Sequence, residues 1–119
     1  MATCPTMDPR YRVLSEAQEL ASEYEVLSNR VRILILAGVV ALGKAKWNEI
    51  REIIERYEGR INPNTLSFHL KKLIQAGLIV REGSMESPRY VPNISEDIAK
   101  KIEKLVNEIR KELEAGEND

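Results

Sequence analysis

Asn62-Pro63-Asn64-Thr65-Leu66-Ser67-Phe68-His69-Leu70-Lys71-Lys72-Leu73-Ile74-Gln75-Ala76-Gly77-Leu78-Ile79 is the stretch on which the reading of this chain turns. Asn62 can accept a backbone N–H as an N-cap, and Pro63 sits at the first helical position, where its missing N–H costs nothing. Ile61 and Leu66 have the spacing of a hydrophobic staple. A helix is therefore predicted from Pro63 to Ala76, broken by Gly77. Projected at about 100° per residue, Leu66, Leu70, Leu73 and Gly77 fall on one side, with Ile74 flanking. Asn64, Ser67, Phe68, Lys71 and Gln75 fall on the other, and Thr65, His69 and Lys72 sit on the shoulders. One face is built to be buried and the other to stay polar.

Downstream of Gly77 the pattern changes. Leu78-Ile79-Val80-Arg81 is short and rich in β-branched residues, Glu82 to Pro88 is turn-rich, and Arg89-Tyr90-Val91 returns as a second strand, giving a β-hairpin. Ser95 opens a last helix, with Glu96 and Asp97 suited to its positive end and Ile98, Ile102, Leu105, Val106, Ile109 and Leu113 as its apolar stripe. Gly116 to Asp119 is expected to fray. Upstream, Ala17, Leu20, Ala21, Tyr24 and Leu27 mark a first amphipathic helix over Ser15 to Leu27. Ser28 and Asn29 supply cap-type side chains before a second helix from Val31, apolar nearly all round and stopped by Gly43. A third runs from Trp47 to Tyr57 and ends at Gly59. Four helices, a hairpin and a helix describe a mainly α fold with a small β-hairpin wing: a winged helix-turn-helix with added N- and C-terminal dimerisation helices. The expected divisions are an N-terminal tail over 1–14, the winged domain with its first helix over 15–94, and a C-terminal dimerisation helix and frayed tail over 95–119.

Leu27-Ser28-Asn29-Arg30-Val31-Arg32-Ile33-Leu34-Ile35-Leu36 resembles the opening of the ArsR-type winged-helix repressors. The run from Asn64 to Ile79 is similar to their recognition helix and first wing strand, with Arg89-Tyr90-Val91 as the return strand. The resemblance covers residues 27–92, over half the chain. It implies a homodimeric DNA-binding transcription regulator whose dimer interface is made largely by the terminal helices. Two departures matter. The third helix has no cysteine and the last has neither His nor Cys, so no metal site is expected. The linker Glu58-Gly59-Arg60-Ile61 is long, and Lys46 stands where a Ser or Thr cap is common.

The polar face of the helix opening at Pro63 mixes side chains that read base edges with side chains that neutralise phosphate, and an α-helix in a major groove can do both. Asn64 suits adenine, Ser67 donates or accepts, and Phe68 offers apolar contact to a thymine methyl. The same Phe68 could instead pack beneath the wing or against a partner helix. The candidate DNA-binding set is Asn62, Asn64, Thr65, Ser67, Phe68, Lys71, Lys72, Arg81 and Arg89. Lys71, Lys72, Arg81 and Arg89 would supply phosphate contacts; Arg60 and Lys46 are weaker candidates of the same kind. His69 is read as a structural hydrogen-bonding residue. Glu82 and Glu86 at the wing tip offer either arginine a salt-bridge partner. Leu20, Tyr24, Ile98, Ile102, Leu105 and Ile109 form the candidate dimer interface, although Glu112 breaks the coiled-coil register of the last helix and a monomer could bury the same stripe against its own core.

Composition bounds these readings. The chain has 119 residues, 43% of them hydrophobic and 31% charged, enough for a single aliphatic core beneath a polar surface. Its net charge of −1 predicts no nucleic-acid partner, but the distribution differs. Residues 44–92 carry nine Lys/Arg against six acids, whereas residues 93–119 carry five against eight. One cysteine, Cys4, makes no intramolecular disulfide and points to a reducing compartment, so a cytoplasmic location is expected. No signal peptide or membrane-length apolar run is seen. A single histidine, a single cysteine and no glycine-rich phosphate loop leave no nucleophile–base pair, so neither an enzyme nor a cofactor is expected. The expected partners are double-stranded DNA and a second copy of the chain. A winged-helix protein-interaction module without DNA binding is the alternative. A ligand-responsive regulator, with an unknown small-molecule effector between the first and last helices, is a third reading.

Overall fold

The computed structural model describes residues 9–117. Cys4, most of the expected N-terminal tail and the last two residues of the expected frayed end lie outside the described residues. Five helices and a hairpin follow in the expected order: α1 Pro9–Val26, α2 Arg30–Leu42, α3 Trp47–Glu58, α4 Pro63–Gln75, β1 Ile79–Gly83, β2 Pro88–Pro92 and α5 Glu96–Glu117. This is a mainly α winged helix-turn-helix. Helix α1 is already present at Pro9, the first described residue, six residues before the expected Ser15. Helix α5 continues through Gly116 to Glu117 rather than fraying there.

Local chemistry sets most of the boundaries. Asn29 caps α2, its Oδ1 accepting from the backbone N–H groups of Val31 at 2.9 Å and Arg32 at 3.3 Å. Lys46, with no acceptor of its own, is served in reverse: Glu49 Oε1 accepts from the Lys46 N–H at 2.8 Å and so holds the start of α3. Ser95 Oγ accepts from the Ile98 N–H at 3.4 Å to open α5.

Helix α2 forms the centre. Its Ile35, Leu36, Ala37 and Val39 are buried against Ile50, Ile53 and Ile54 of α3, Leu66, Leu70 and Leu73 of α4, and Ile98, Ile102, Val106 and Ile109 of α5. A Cβ at Gly38 would lie 3.3 Å from two side-chain carbons of Ile53, so glycine there lets α2 and α3 approach closely. Tyr57 donates to Glu112 Oε2 at 2.8 Å, tying α3 to the C-terminal half of α5. Partial burial and then this carboxylate push the Tyr57 phenol up to about 12. The residue that interrupts the apolar register of α5 thus makes a contact of its own.

The hairpin is antiparallel, pairing Ile79 with Pro92, Arg81 with Tyr90 and Gly83 with Pro88. The strands are longer than expected and the loop shorter, only residues 84–87. Gly83 makes the tight return possible: its φ is +86°, and a Cβ there would sit 2.8 Å from the Ser87 carbonyl oxygen. Ala45 adds a single-residue third rung, exchanging backbone hydrogen bonds with Tyr90 at 2.8 and 2.9 Å and anchoring the wing to the α2–α3 turn.

Helix α1 departs from this economy of burial. None of its residues is buried, and Val13 and Leu14 are 64% and 69% exposed. It helps to stretch the molecule to 70 × 32 × 23 Å.

Candidate nucleic-acid interface

The site is built on α4. Asn62 Oδ1 accepts from the Asn64 N–H at 2.8 Å, and with Pro63 at the first position this fixes where the helix begins and hence which side each later residue faces. Leu66, Leu70 and Leu73 are buried. Asn64, Thr65, Ser67, Phe68, Lys71 and Gln75 are exposed, and Lys72 is half-buried. The two faces predicted from sequence are therefore both present. Asn62 is exposed as well, with its side-chain carbonyl engaged in the cap.

Phe68 does not pack beneath the wing: half its surface is open. Its ring lies within cation–π reach of two residues, Lys72 Nζ at 5.3 Å and the Arg32 guanidinium carbon at 5.9 Å from the centroid. The His69 ring packs against it in an inclined, edge-type arrangement, the centroids 5.7 Å apart and the planes at 67°. Arg32 also donates from Nε to His69 Nδ1 at 3.1 Å, a contact that the imidazole can accept only when neutral with its proton on Nε2. His69 thus has the structural hydrogen bond expected of it. Arg32, on α2, joins this group although sequence reasoning does not place it there. A contact between residues 37 positions apart leaves no local signal.

Burial, and next the Arg32 charge, lower the His69 pKa from its ordinary 6.5. The unfolded chain therefore takes up this proton more readily than the folded one. The contribution to stability is complete above about 6.5, is lost as pH falls through the window beneath it, and levels off below the folded value. His69→Asn keeps an acceptor but does not titrate. Thermal melts between about pH 7 and pH 5 should show the stability difference between wild type and this variant shrinking toward acid. A pH-independent difference would contradict the Arg32–His69 contact.

The wing arginines diverge. Arg81 pairs in register with Tyr90 and Arg89 with Glu82, so the pleat turns the two side chains to opposite faces of the hairpin. Arg81 is exposed. Arg89 Nη1 donates to Ser87 Oγ at 3.1 Å, which orders the loop. Glu82 reaches Lys44, at 4.0 Å. At the tip, Met85 is 88% exposed.

The residues expected at a dimer interface divide into two groups. Ile98, Ile102 and Ile109 are buried within the chain's own core. Leu20, Tyr24 and Leu105 are exposed and border a groove of about 420 Å³ between α1 and α5, with Ile98 and Ile102 at its floor. Lys101 Nζ donates to the Tyr24 hydroxyl at 2.9 Å across this groove. A wider cleft of about 970 Å³ lies between α1 and the C-terminal end of α4, lined among others by Glu19, Glu23, Arg32 and Lys72. Among the described residues no three His, Cys, Asp or Glu side chains come together as metal ligands, and no helix is long and apolar enough to cross a membrane.

No protein-family model matches the chain, and no curated protein matches it in sequence. Solved structures do match. HlyU of Vibrio cholerae, in its reduced form, is 19% identical with a TM-score of 0.62, over 79% of this chain and 92% of that one. The transcriptional repressor BigR of Xylella fastidiosa is 24% identical with a TM-score of 0.56, over 87% and 95%. A homodimeric winged helix-turn-helix DNA-binding domain from Mycobacterium bovis, described as a possible ArsR-family transcriptional regulator, is 21% identical with a TM-score of 0.61, over 94% and 95%. The chain has the winged helix-turn-helix fold. At these identities the likeness speaks to the fold, and the reading of function rests on the residues that the fold exposes.

Proposed function

We propose that the chain is a sequence-specific regulator of transcription that binds double-stranded DNA as a homodimer and acts as a repressor. Helix α4, over about 63–76, lies in the major groove, and the wing, over about 78–91, lies on the backbone or in the minor groove. The observation that carries this reading is the division of α4: Asn64, Thr65, Ser67, Phe68 and Lys71 are all open to solvent above a buried row of leucines. A helix anchored by one face and presenting amide, hydroxyl, aromatic and ammonium groups on the other matches what base edges and phosphates require. Lys71, Lys72, Arg81 and Arg89 neutralise phosphate, while Asn64, Thr65, Ser67 and Phe68 choose sequence. The exposed Asn62 adds a contact at the helix start.

Helix α1 supports the dimer. An 18-residue helix that buries none of its side chains lacks the packing that ordinarily stabilises helices in water. Covering Tyr11, Leu14, Leu20, Tyr24 and Leu105 with a second copy supplies that packing. The homodimeric state and DNA binding described for the Mycobacterium bovis domain, and the repressor role described for BigR, support the same reading. Two-fold symmetry would set the recognition helices about 34–36 Å apart on a pseudo-palindrome.

Selection of bound duplexes from a random pool tests this reading. A motif of two inverted half-sites one helical turn apart is expected. Failure to enrich any sequence, with no salt-sensitive binding in gel shifts, would overturn it in favour of a protein-interaction module docking through Phe68.

A further inference from the structure

We propose that Arg32 is a positioning residue for base recognition: from α2 it holds Phe68 and His69 of α4 in the attitude in which the Phe68 ring meets a base. This rests on the DNA-binding reading above and extends it to a residue that lies outside the proposed contact surface.

The geometry is specific. Arg32 is half-buried, and from α2 its guanidinium reaches two other elements, α1 and α4. Nε donates to His69 Nδ1 at 3.1 Å on α4, Nη1 donates to the carbonyl of Val26 at 3.4 Å at the end of α1, and its central carbon lies 5.9 Å from the Phe68 centroid. The His69 ring in turn lies against the same Phe68 ring, 5.7 Å between centroids. An exposed phenylalanine otherwise samples several rotamers, and ordering it on binding opposes association. Here the guanidinium, the imidazole and the Lys72 ammonium surround the ring while leaving half its surface open. The contact surface is thereby organised before any ligand arrives. Arginine suits this role where lysine does not, because a planar fork directs separate N–H groups to separate acceptors while its face lies over an aromatic ring.

This role differs from a phosphate contact. A phosphate ligand contributes to binding of every sequence and to the salt dependence, about 0.9 in slope per phosphate. A positioning residue acts on discrimination alone.

The test uses four full-length variants, Arg32→Met, His69→Leu, His69→Asn and the double variant Arg32→Met with His69→Leu, assayed with a selected duplex and the same duplex altered at one base pair at a time. Circular dichroism establishes that each is folded at the assay temperature. Arg32→Met and His69→Leu are each expected to reduce discrimination about tenfold at the base pair most sensitive to Phe68→Ala, with an unchanged salt slope. The double variant should be no worse than either single one, because both remove the same link. His69→Asn, which keeps an acceptor near the position of Nδ1, should retain most of the discrimination. In the free protein, the Phe68 ring resonances should broaden or shift in Arg32→Met, whereas in His69→Asn, which removes the neighbouring imidazole ring, they should shift without broadening. Folded Arg32→Met that discriminates as wild type does, or whose Phe68 resonances are unmoved, overturns the assignment. So does a uniform loss of affinity with a flatter salt slope, which would make Arg32 a phosphate ligand. Wild-type protein that discriminates among no sequences and shows no salt-sensitive binding overturns the DNA-binding reading itself, and this inference falls with it.

Discussion

Leu66→Ala will destabilise the folded chain by about 2–5 kcal/mol, the range for deleting a buried aliphatic side chain and leaving a cavity. Phe68→Ala, two positions along the same helix, will cost about 1 kcal/mol or less, since what it removes is a half-exposed ring and its cation–π partners. Leu66 is wholly enclosed where α4 meets α2, whereas Phe68 is 50% exposed on the far side. Urea titration separates the two: the midpoint should drop steeply for Leu66→Ala and hardly move for Phe68→Ala, with the slope unchanged in both. Binding should reverse the order. Leu66→Ala that is still folded under assay conditions keeps its choice of sequence, while Phe68→Ala no longer meets the thymine methyl and discriminates less at one position. Equal costs in stability would mean that α4 is not divided into an anchored and a presented face.

Replacing Lys71 and Lys72 together by alanine should weaken binding to every duplex and reduce the slope of log affinity against log salt by about 0.9 for each phosphate left unneutralised. Lys71 is fully outward, and Lys72 is half-buried beside Phe68. The pair therefore tests phosphate binding at the exposed lysine and organisation of the ring at the other. Separate single variants resolve them: Lys71→Ala acts on the salt slope, and Lys72→Ala also blurs discrimination. Titrations at two salt concentrations measure both effects, and an unchanged slope in the double variant would remove this face from the interface.

Features governed by neighbouring residues were legible in the sequence. The Asn62–Pro63 start of α4 and the Asn29 cap of α2 follow from short-range hydrogen bonding, and the leucine row of α4 follows from helical period. Features that depend on distant residues were not. The Arg32–His69 bond joins two helices whose relative placement no local pattern encodes, and the Ala45–Tyr90 rung is one residue long, too short for any strand period. The wing arginines fell between these cases. Strand alternation separates faces only once the register is known, and the register depends on the loop, which spans just four residues, 84–87. The apolar stripe of α5 was ambiguous for another reason. An aliphatic row suits a core or a partner equally, and the structure buries Ile98, Ile102 and Ile109 within the chain and leaves Leu105 outward. Helix α1 shows the reverse, with an amphipathic pattern that none of the described residues buries.

The most direct measurement of the central claim, that α4 presents its polar face to a duplex, is an NMR titration of the isotope-labelled protein with a duplex recovered by selection. Amide and side-chain shifts are expected to concentrate at Asn64, Thr65, Ser67, Phe68 and Lys71, with a second group along the wing at Arg81 and Arg89. Shifts confined to α1 and α5, with α4 unmoved at saturation, would contradict it.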